Sequence, residues 1–365
     1  YSQYNNFFTY RSINPSKLNL DSYPNTITWT KTKTNGGLID TWTNITLAST
    51  LDLDSTRGNI TALEKLNDSL ICLQDTGISQ ILYNENTQIS TTEGVPIEIA
   101  NSGKVQGSRY ISNTIGCPNK WSICTTPAGI YFIDDITKGI YLFNGQLNNI
   151  SDKLGFHSWI STASKSVNIW NPVDFNSFVT YYDKTNDEVL FISKDSCLGY
   201  SELLGQFTSF YSYENTPYFF NLLDKGIWVK NNKLWLHNKG SYNIFFGAYQ
   251  PFSTTVIANP DAIVDKIFST VEFRADSWNT NNKLLNTTFD TLKVWNEYQQ
   301  GTVSLKNTKD KPSNLKRKFR IWRANIPRDK SNGRDRMRNP WLYLKLSMEI
   351  GNGNKTILHD MTVHY

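Results

Sequence analysis

Ala128–Ser151 reads AGIYFIDDITKGIYLFNGQLNNIS, two matched apolar runs placed one after the other. Gly129 opens Ile130, Tyr131, Phe132, Ile133 and Asp134, and Gly139 opens Ile140, Tyr141, Leu142, Phe143 and Asn144. Each run is β-branched and aromatic, about five residues long and bounded by turn residues, which is the pattern of a strand and not of a helix. The recurrence of such paired strands along the chain points to an all-β architecture.

Related hairpins recur. Asp68–Asn84 (DSLICLQDTGISQILYN) reads as strand, Asp-Thr-Gly turn, strand. Asp187–Ser193 (DEVLFIS) is a further strand, and Gly226–Asn238 (GIWVKNNKLWLHN) is a hairpin whose Asn231-Asn232 pair suits the left-handed backbone of a type I′ turn. Gly77, Gly129 and Gly226, with the strand at Asp187, fall at intervals of roughly 40–60 residues, the blade spacing of a β-propeller. A β-sandwich or an irregular all-β domain is the competing architecture. The gap between Cys197 and Phe220 predicts an insertion in one blade.

Residues 1–60 are rich in Asn, Thr and Ser, with short strand candidates at Thr26–Lys31 and Thr41–Ala48; Thr61–Leu66 has helical flavour. The character changes after Pro251–Pro260. Val264–Arg274 and Leu292–Tyr298 are strand-like, and NPWLYLKLSMEI and ILHDMTVHY, separated by Gly351-Asn352-Gly353-Asn354, predict a closing hairpin. The expected division is an extended segment over 1–60 continuing from an upstream region, a β-propeller-like domain over 61–260, and a smaller antiparallel β-module over 261–365.

The composition, 39% apolar with 13% aromatic residues, fills a core and excludes wholesale disorder. No apolar run reaches the roughly 20 residues that span a bilayer, and no basic-then-apolar signal segment opens the chain. A first residue of Tyr1 fits a processed or trimmed piece of a longer protein. Cys72, Cys117, Cys124 and Cys197 lack CxxC spacing and are expected as buried free thiols.

Catalytic patterns are missing from the sequence. His157, His237, His359 and His364 are scattered, and no GxSxG accompanies them. His359 and His364, five apart in a strand, are expected on opposite faces, unable to share a metal. The Asp134-Asp135 pair sits in a turn, where Asp serves the backbone. Asp52-Leu53-Asp54 lacks the other ligands of a calcium loop, and no phosphate-cradling GxxxxGK[ST] occurs. No enzyme, metal or cofactor is expected, although distant carboxylates could still converge on a glycan.

Charge is the one feature that points to a partner. Lys306–Arg338 holds thirteen Lys or Arg against three Asp, a net of +10 in a chain of net +5, which leaves about −5 elsewhere. Within it Lys316, Arg317, Lys318, Arg320, Trp322, Arg323, Arg328, Arg334, Arg336 and Arg338 are the candidate contact residues. At strand period, Lys316, Lys318, Arg320 and Trp322 share one face, and Arg317, Phe319, Ile321 and Arg323 the other. Arg forks suit an acidic protein neighbour; interleaved aromatics also suit nucleic acid; a solvated face is the third option.

LDLDSTRGNITALEKLND (51–68), ICLQDTGISQILYN (71–84), GVPIEIANSGKVQG (94–107), GIYFIDDITKGIYLFNG (129–145), LGYSELLGQFTSFYSY (198–213), VWNEYQQG (294–301), FRIWRANIPRD (319–329) and RNPWLYLK (338–345) occur in that order. The series resembles the tail stabilization, or muzzle, proteins of crAss-like bacteriophages, which are similar in role to the nozzle proteins of short-tailed phages. The resemblance covers residues 50–365. It implies a virion component assembled in the host cytoplasm, a ring of six copies at the distal end of a short tail that extends and gates the DNA exit channel. Implied partners are other copies of itself, ring or hub and receptor-binding tail proteins, and genomic DNA in transit. The rival expectation is a receptor- or glycan-binding, or glycan-degrading, propeller adhesin with Trp228 and Trp235 in its cleft.

Overall fold

The computed structural model describes residues 22–30, 41–43, 45–46, 48–83, 87–90, 96–99, 105–152, 156–163, 178–194, 196–213, 218–222, 225–307, 309, 314–329, 333, 335–349 and 353–365. The chain is all-β, with antiparallel ladders throughout and, among the described residues, one α-helix of seven residues, His157–Ala163. It divides into two compact units, Tyr1–His237 and Asn238–Tyr365.

In the first unit the strands form successive meanders. The first joins β1 (Ile60–Leu66), β2 (Ser69–Gln74), β3 (Ile78–Tyr83) and β4 (Val105–Ser112). The second joins β5 (Cys124–Thr126), β6 (Gly129–Asp134), β7 (Gly139–Phe143) and β8 (Leu147–Asn149). The third joins β9 (Val179–Asp183), β10 (Glu188–Ile192), β11 (Cys197–Ser201) and β12 (Gln206–Tyr211). The fourth has three strands, β13 (Tyr218–Leu222), β14 (Lys225–Lys230) and β15 (Lys233–Leu236). Asn231 and Asn232, with φ of 52° and 58°, close the β14–β15 hairpin as a two-residue turn of the kind their sequence predicts.

The unbroken apolar run of β6 follows from its position. All six of its residues are buried. Ile130 and Phe132 pack with Ile71, Leu73 and Ile78 of the first meander. Tyr131 and Ile133 face the other way, into Val189, Phe191, Leu198 and Tyr200 of the third. The third meander continues the stack: Tyr181 lies 5.7 Å from Phe219 and 6.4 Å from Trp228 of the fourth. A strand covered on both faces has no polar side to alternate with.

Three local expectations are corrected in this unit. Residues 61–66 lie in strand β1, where pairing with β2 overrides the helical leaning of Ala-Leu-Glu-Lys-Leu. Thr41–Thr43 is a turn of 3-10 helix instead of a strand. The stretch after Cys197 holds β11 and the outer strand β12, not an insertion; β12 is largely exposed, so it carries no apolar run to announce it. The four cysteines are free, three of them buried and Cys124 half-buried. Burial pushes the thiols of Cys72, Cys117 and Cys124 up to about 12, far from nucleophilic at neutral pH.

The second unit is a sandwich of two sheets. One sheet contains β16 (Phe252–Ala258), β18 (Thr291–Trp295), β19 (Gln300–Ser304) and β22 (Leu342–Met348), in the order β16-β22-β18-β19. The other is built on β17 (Thr270–Trp278), which pairs on one side with β21 (Ile321–Asn325) and on the other with β23 (Lys355–His364). The edge strand β20 (Leu315–Lys318) pairs with β21. Val271, Phe273 and Ala275 from β17 meet Leu342, Leu344 and Leu346 from β22 in the core between the sheets. Strand β22 alternates buried and half-buried positions along its length, the pattern of a strand with one face in a core.

Two expectations change here. Strand β16, which the sequence places ahead of a boundary near 260, pairs with β22 inside this unit. Strands β22 and β23 are real but not a hairpin, because each pairs into a different sheet. A sandwich needs connections that cross between its layers, and the segment joining β22 to β23 is one of them.

Candidate interface on the basic hairpin

Strands β20 and β21 form a hairpin closed by Phe319 and Arg320, both with left-handed backbone at φ 51° and 67°. The pairing is Leu315 with Ala324, Lys316 with Arg323, Arg317 with Trp322, and Lys318 with Ile321. This reverses the face assignment expected for a single continuous strand. Trp322 joins Arg317 on the core side, and Arg323 joins Lys316 and Lys318 on the outer side. A two-residue turn resets the alternation, and cross-strand partners share a face.

Trp322 is therefore a packing residue. It is 6% exposed, donates its indole N–H to the Ala275 carbonyl at 3.0 Å, and carries the Arg317 guanidinium 4.8 Å above its ring. Arg320 pairs with Asp276, a carboxylate only 5% exposed, and His359 Nε2 lies 3.1 Å from the same carboxylate. Arg317 stands 4.0 Å from Asp276 and donates to Asn286 Oδ1. Burial by itself would raise the Asp276 pKa, but the hydrogen bonds from Arg320 and His359 outweigh it and hold the carboxyl below its ordinary range.

A second group repeats the motif along β17. Glu272 lies 3.4 Å from Arg323 and 3.4 Å from His364. Arg274 pairs with Asp360 between them, and that hydrogen bond holds the Asp360 carboxyl low. The pairing places His359 and His364 on the same face of the sheet, contrary to expectation. A bulge between Arg274 and Ala275 opposes Leu358 and Asp360, so His359 is the extra residue and the period slips by one. The two imidazoles serve different carboxylates. Among the described residues no group of His, Cys, Asp or Glu is arranged to hold a metal.

Half of the predicted strip is thus spent inside the chain. Arg317, Arg320 and Arg323 face acids on β17, and Arg338 lies 3.7 Å from Asp265. Among the described residues, Lys316, Lys318, Arg328 and Arg336 are exposed and have no carboxylate within ion-pair distance. Arg334 lies outside the described residues. Phe319 projects from the hairpin tip at 85% exposure, beneath the Lys318 ammonium 5.3 Å away. Sequence reasoning missed Glu272 and Asp276 and gave His359 and His364 no role, because these depend on pairings distant in sequence, 44 residues for Arg320 with Asp276 and 83 for His359 with Asp276. The alternation of Glu272, Arg274 and Asp276 with Val271, Phe273 and Ala275 in VEFRADSW was the available signal, a charged face on a strand whose other face is apolar.

Replacing Asp276 with Asn should cost the second unit roughly 1.5–3 kcal/mol near neutral pH, the worth of hydrogen bonds to a charged group, and toward the lower end because Arg320 is largely exposed. A depressed folded pKa stabilises above the unfolded value and loses that stabilisation as pH falls through the folded one. Urea unfolding at stepwise lower pH should show the wild type converging on the variant below about pH 4; a constant gap would remove the carboxylate from the account.

Trp228, the proposed glycan-cleft aromatic, is 2% exposed. It stacks on His237 at 4.3 Å and meets Phe219 and Tyr213 edge-on. It belongs to the packing between the third and fourth meanders and not to a surface cleft.

The chain is a scaffold of antiparallel sheets that carries an exposed cationic hairpin. Comparison with known proteins sharpens that class. Residues 1–232 match the family described as Crassvirus muzzle protein, and residues 240–329 match the Crassvirus muzzle protein C-terminal domain. The chain belongs to the Crassvirus muzzle protein family. It is 55% identical over 365 residues to the muzzle protein of Bacteroides phage crAss001, covering all of this chain and 26% of that protein, so it spans about a quarter of that relative's length. Among solved structures, the AfRom2 CNH domain aligns over 51% of this chain and 68% of its own, at 12% identity and a TM-score of 0.22, a likeness too slight to carry any argument.

Proposed function

We propose that this chain is a structural part of a phage tail, a wall segment of the distal ring through which DNA leaves, docked to its neighbour through the free cationic edge of the β20–β21 hairpin. The observation that carries the reading is the set of exposed cations that, among the described residues, have no carboxylate partner: Lys316 and Lys318 on the edge strand β20, and Arg328 and Arg336 past the hairpin, beside Gln299 and Gly301. Edge lysines repel indiscriminate strand pairing, but they admit an acidic surface. The net of about −5 on the rest of the chain supplies one on an adjacent copy. Heterologous contacts of this kind close into a ring, six-membered in this reading. Family membership supports the tail assignment, and the ordered stacking of four meanders supports a closed β-propeller for the first unit.

Rings of the full-length protein should fall apart as salt rises from about 0.15 M to 1 M, because the screening length shrinks from roughly 8 Å to 3 Å. Light scattering or negative-stain microscopy reads this directly. Rings intact at high salt would exclude electrostatic closure. The hub, receptor-binding and DNA contacts implied by the family belong to this proposal. The gate of the exit channel does too.

A further inference from the structure

The outer face of the β16-β22-β18-β19 sheet has no carboxylate and two lysines in direct opposition. Lys345 of β22 pairs across the ladder with Lys293 of β18, flanked by Thr255 and Thr302 on the outer strands. The neighbouring row holds Tyr343 opposite Trp295, with Trp341 packed edge-on to the tyrosine. None of the twelve residues on this face is acidic. Like charges directly opposite on a sheet are destabilising, and no acidic residue on this face offsets them, although the Lys293 ammonium lies 5.5 Å from the Trp295 ring centre. Hydroxyls and indole N–H groups surround the pair; among the described residues those of Trp295 and Trp341 have no hydrogen-bond partner. The face offers donors and positive charge to a ligand rich in oxygen acceptors.

We infer that this face binds an acidic polysaccharide, its anionic groups held between Lys293 and Lys345 and its sugar oxygens meeting the Trp295 and Trp341 edges. Single-stranded nucleic acid fits less well. Bases stack on open aromatic faces, whereas Trp295 lies stacked on Tyr343 at 5.1 Å and 18°, and the Lys293 ammonium covers it at 5.5 Å. The indole N–H groups remain as donors, and a sugar chain rich in hydroxyl and carboxylate oxygens can use them without an open ring face. The site is on the sheet opposite the basic hairpin, so it succeeds or fails apart from the ring-docking proposal.

Affinity electrophoresis of the intact chain through gels containing polygalacturonate, dextran sulfate or neutral dextran tests the inference. At least one acidic polymer should retard the wild type, with polygalacturonate and dextran sulfate separating carboxylate from sulfate preference; neutral dextran should not. Lys293→Gln with Lys345→Gln should weaken retardation about tenfold or more, and Lys293→Arg with Lys345→Arg should retain it, which controls for folding. The inference is overturned by no retardation in either acidic polymer or by undiminished retardation of the Gln pair. A higher affinity for oligothymidylate than for either polysaccharide, lost with the same lysines, would also overturn it.

Discussion

Replacing Gly129 with alanine should lower the melting temperature of the first unit by roughly 6–12 °C, the shift expected for about 3 kcal/mol in a unit of this size. Gly129 has φ +151°, and a Cβ there would sit 2.4 Å from the Phe143 carbonyl oxygen and 2.8 Å from Leu142 Cδ1. The carbonyl cannot move aside. Phe143 is held in its ladder by Ile130 on one side and Leu147 on the other, and its side chain is fixed in the core. Backbone strain and overpacking each contribute about 1–3 kcal/mol. Gly107 is the control, because nothing lies within 4 Å of its Cβ position. Alanine there should be neutral or slightly stabilising, through the reduced freedom of the unfolded chain. Equal losses at both positions would mean that the close approach of Gly129 to the Phe143 carbonyl is not what sets the cost.

The second large effect falls on assembly. Lys316→Ser, Lys318→Ser, Arg328→Ser and Arg336→Ser together should leave the melting temperature close to wild type and strip the protein from tails in a complementation assay. Surface charges contribute roughly 0.5–1 kcal/mol each, so losing four weakens a contact by about 2–4 kcal/mol, or roughly 30- to 700-fold. In the proposed ring that loss repeats at every joint. The Ser triple at Arg317, Arg320 and Arg323 should behave in the opposite way. It leaves Asp276 and Glu272 without their cations and so destabilises the second unit before any partner is involved. Normal incorporation of the quadruple variant, measured by microscopy of purified particles, would remove these four cations from the interface.

These variants mark where the sequence was legible. Strands covered on both faces, such as β6 and β10, and hairpins closed by a strong turn, such as Asn231-Asn232, are written locally and could be read locally. Strand β12 could not, since it lies exposed and carries no apolar period. The partnering of β22 and β23 was also invisible: both alternate as strands should, and alternation does not say which sheet a strand enters. The same limit governs the site. The cations at 316–338 were evident as a charge excess, but their division into internally paired and free groups depends on Asp276 and Glu272 in β17, brought opposite by ladder register. A bulge at His359, invisible in the residue string, decides which face its imidazole takes.

Lysine footprinting of intact virions against the isolated chain is the most direct test of the docking claim. Brief acetylation followed by peptide mapping should find Lys316 and Lys318 freely modified in the isolated chain and shielded in the particle, with exposed Lys233 modified in the isolated chain as an internal standard. Equal modification of Lys316 and Lys318 in both samples would show the hairpin edge open to solvent in the assembled tail, and would contradict it.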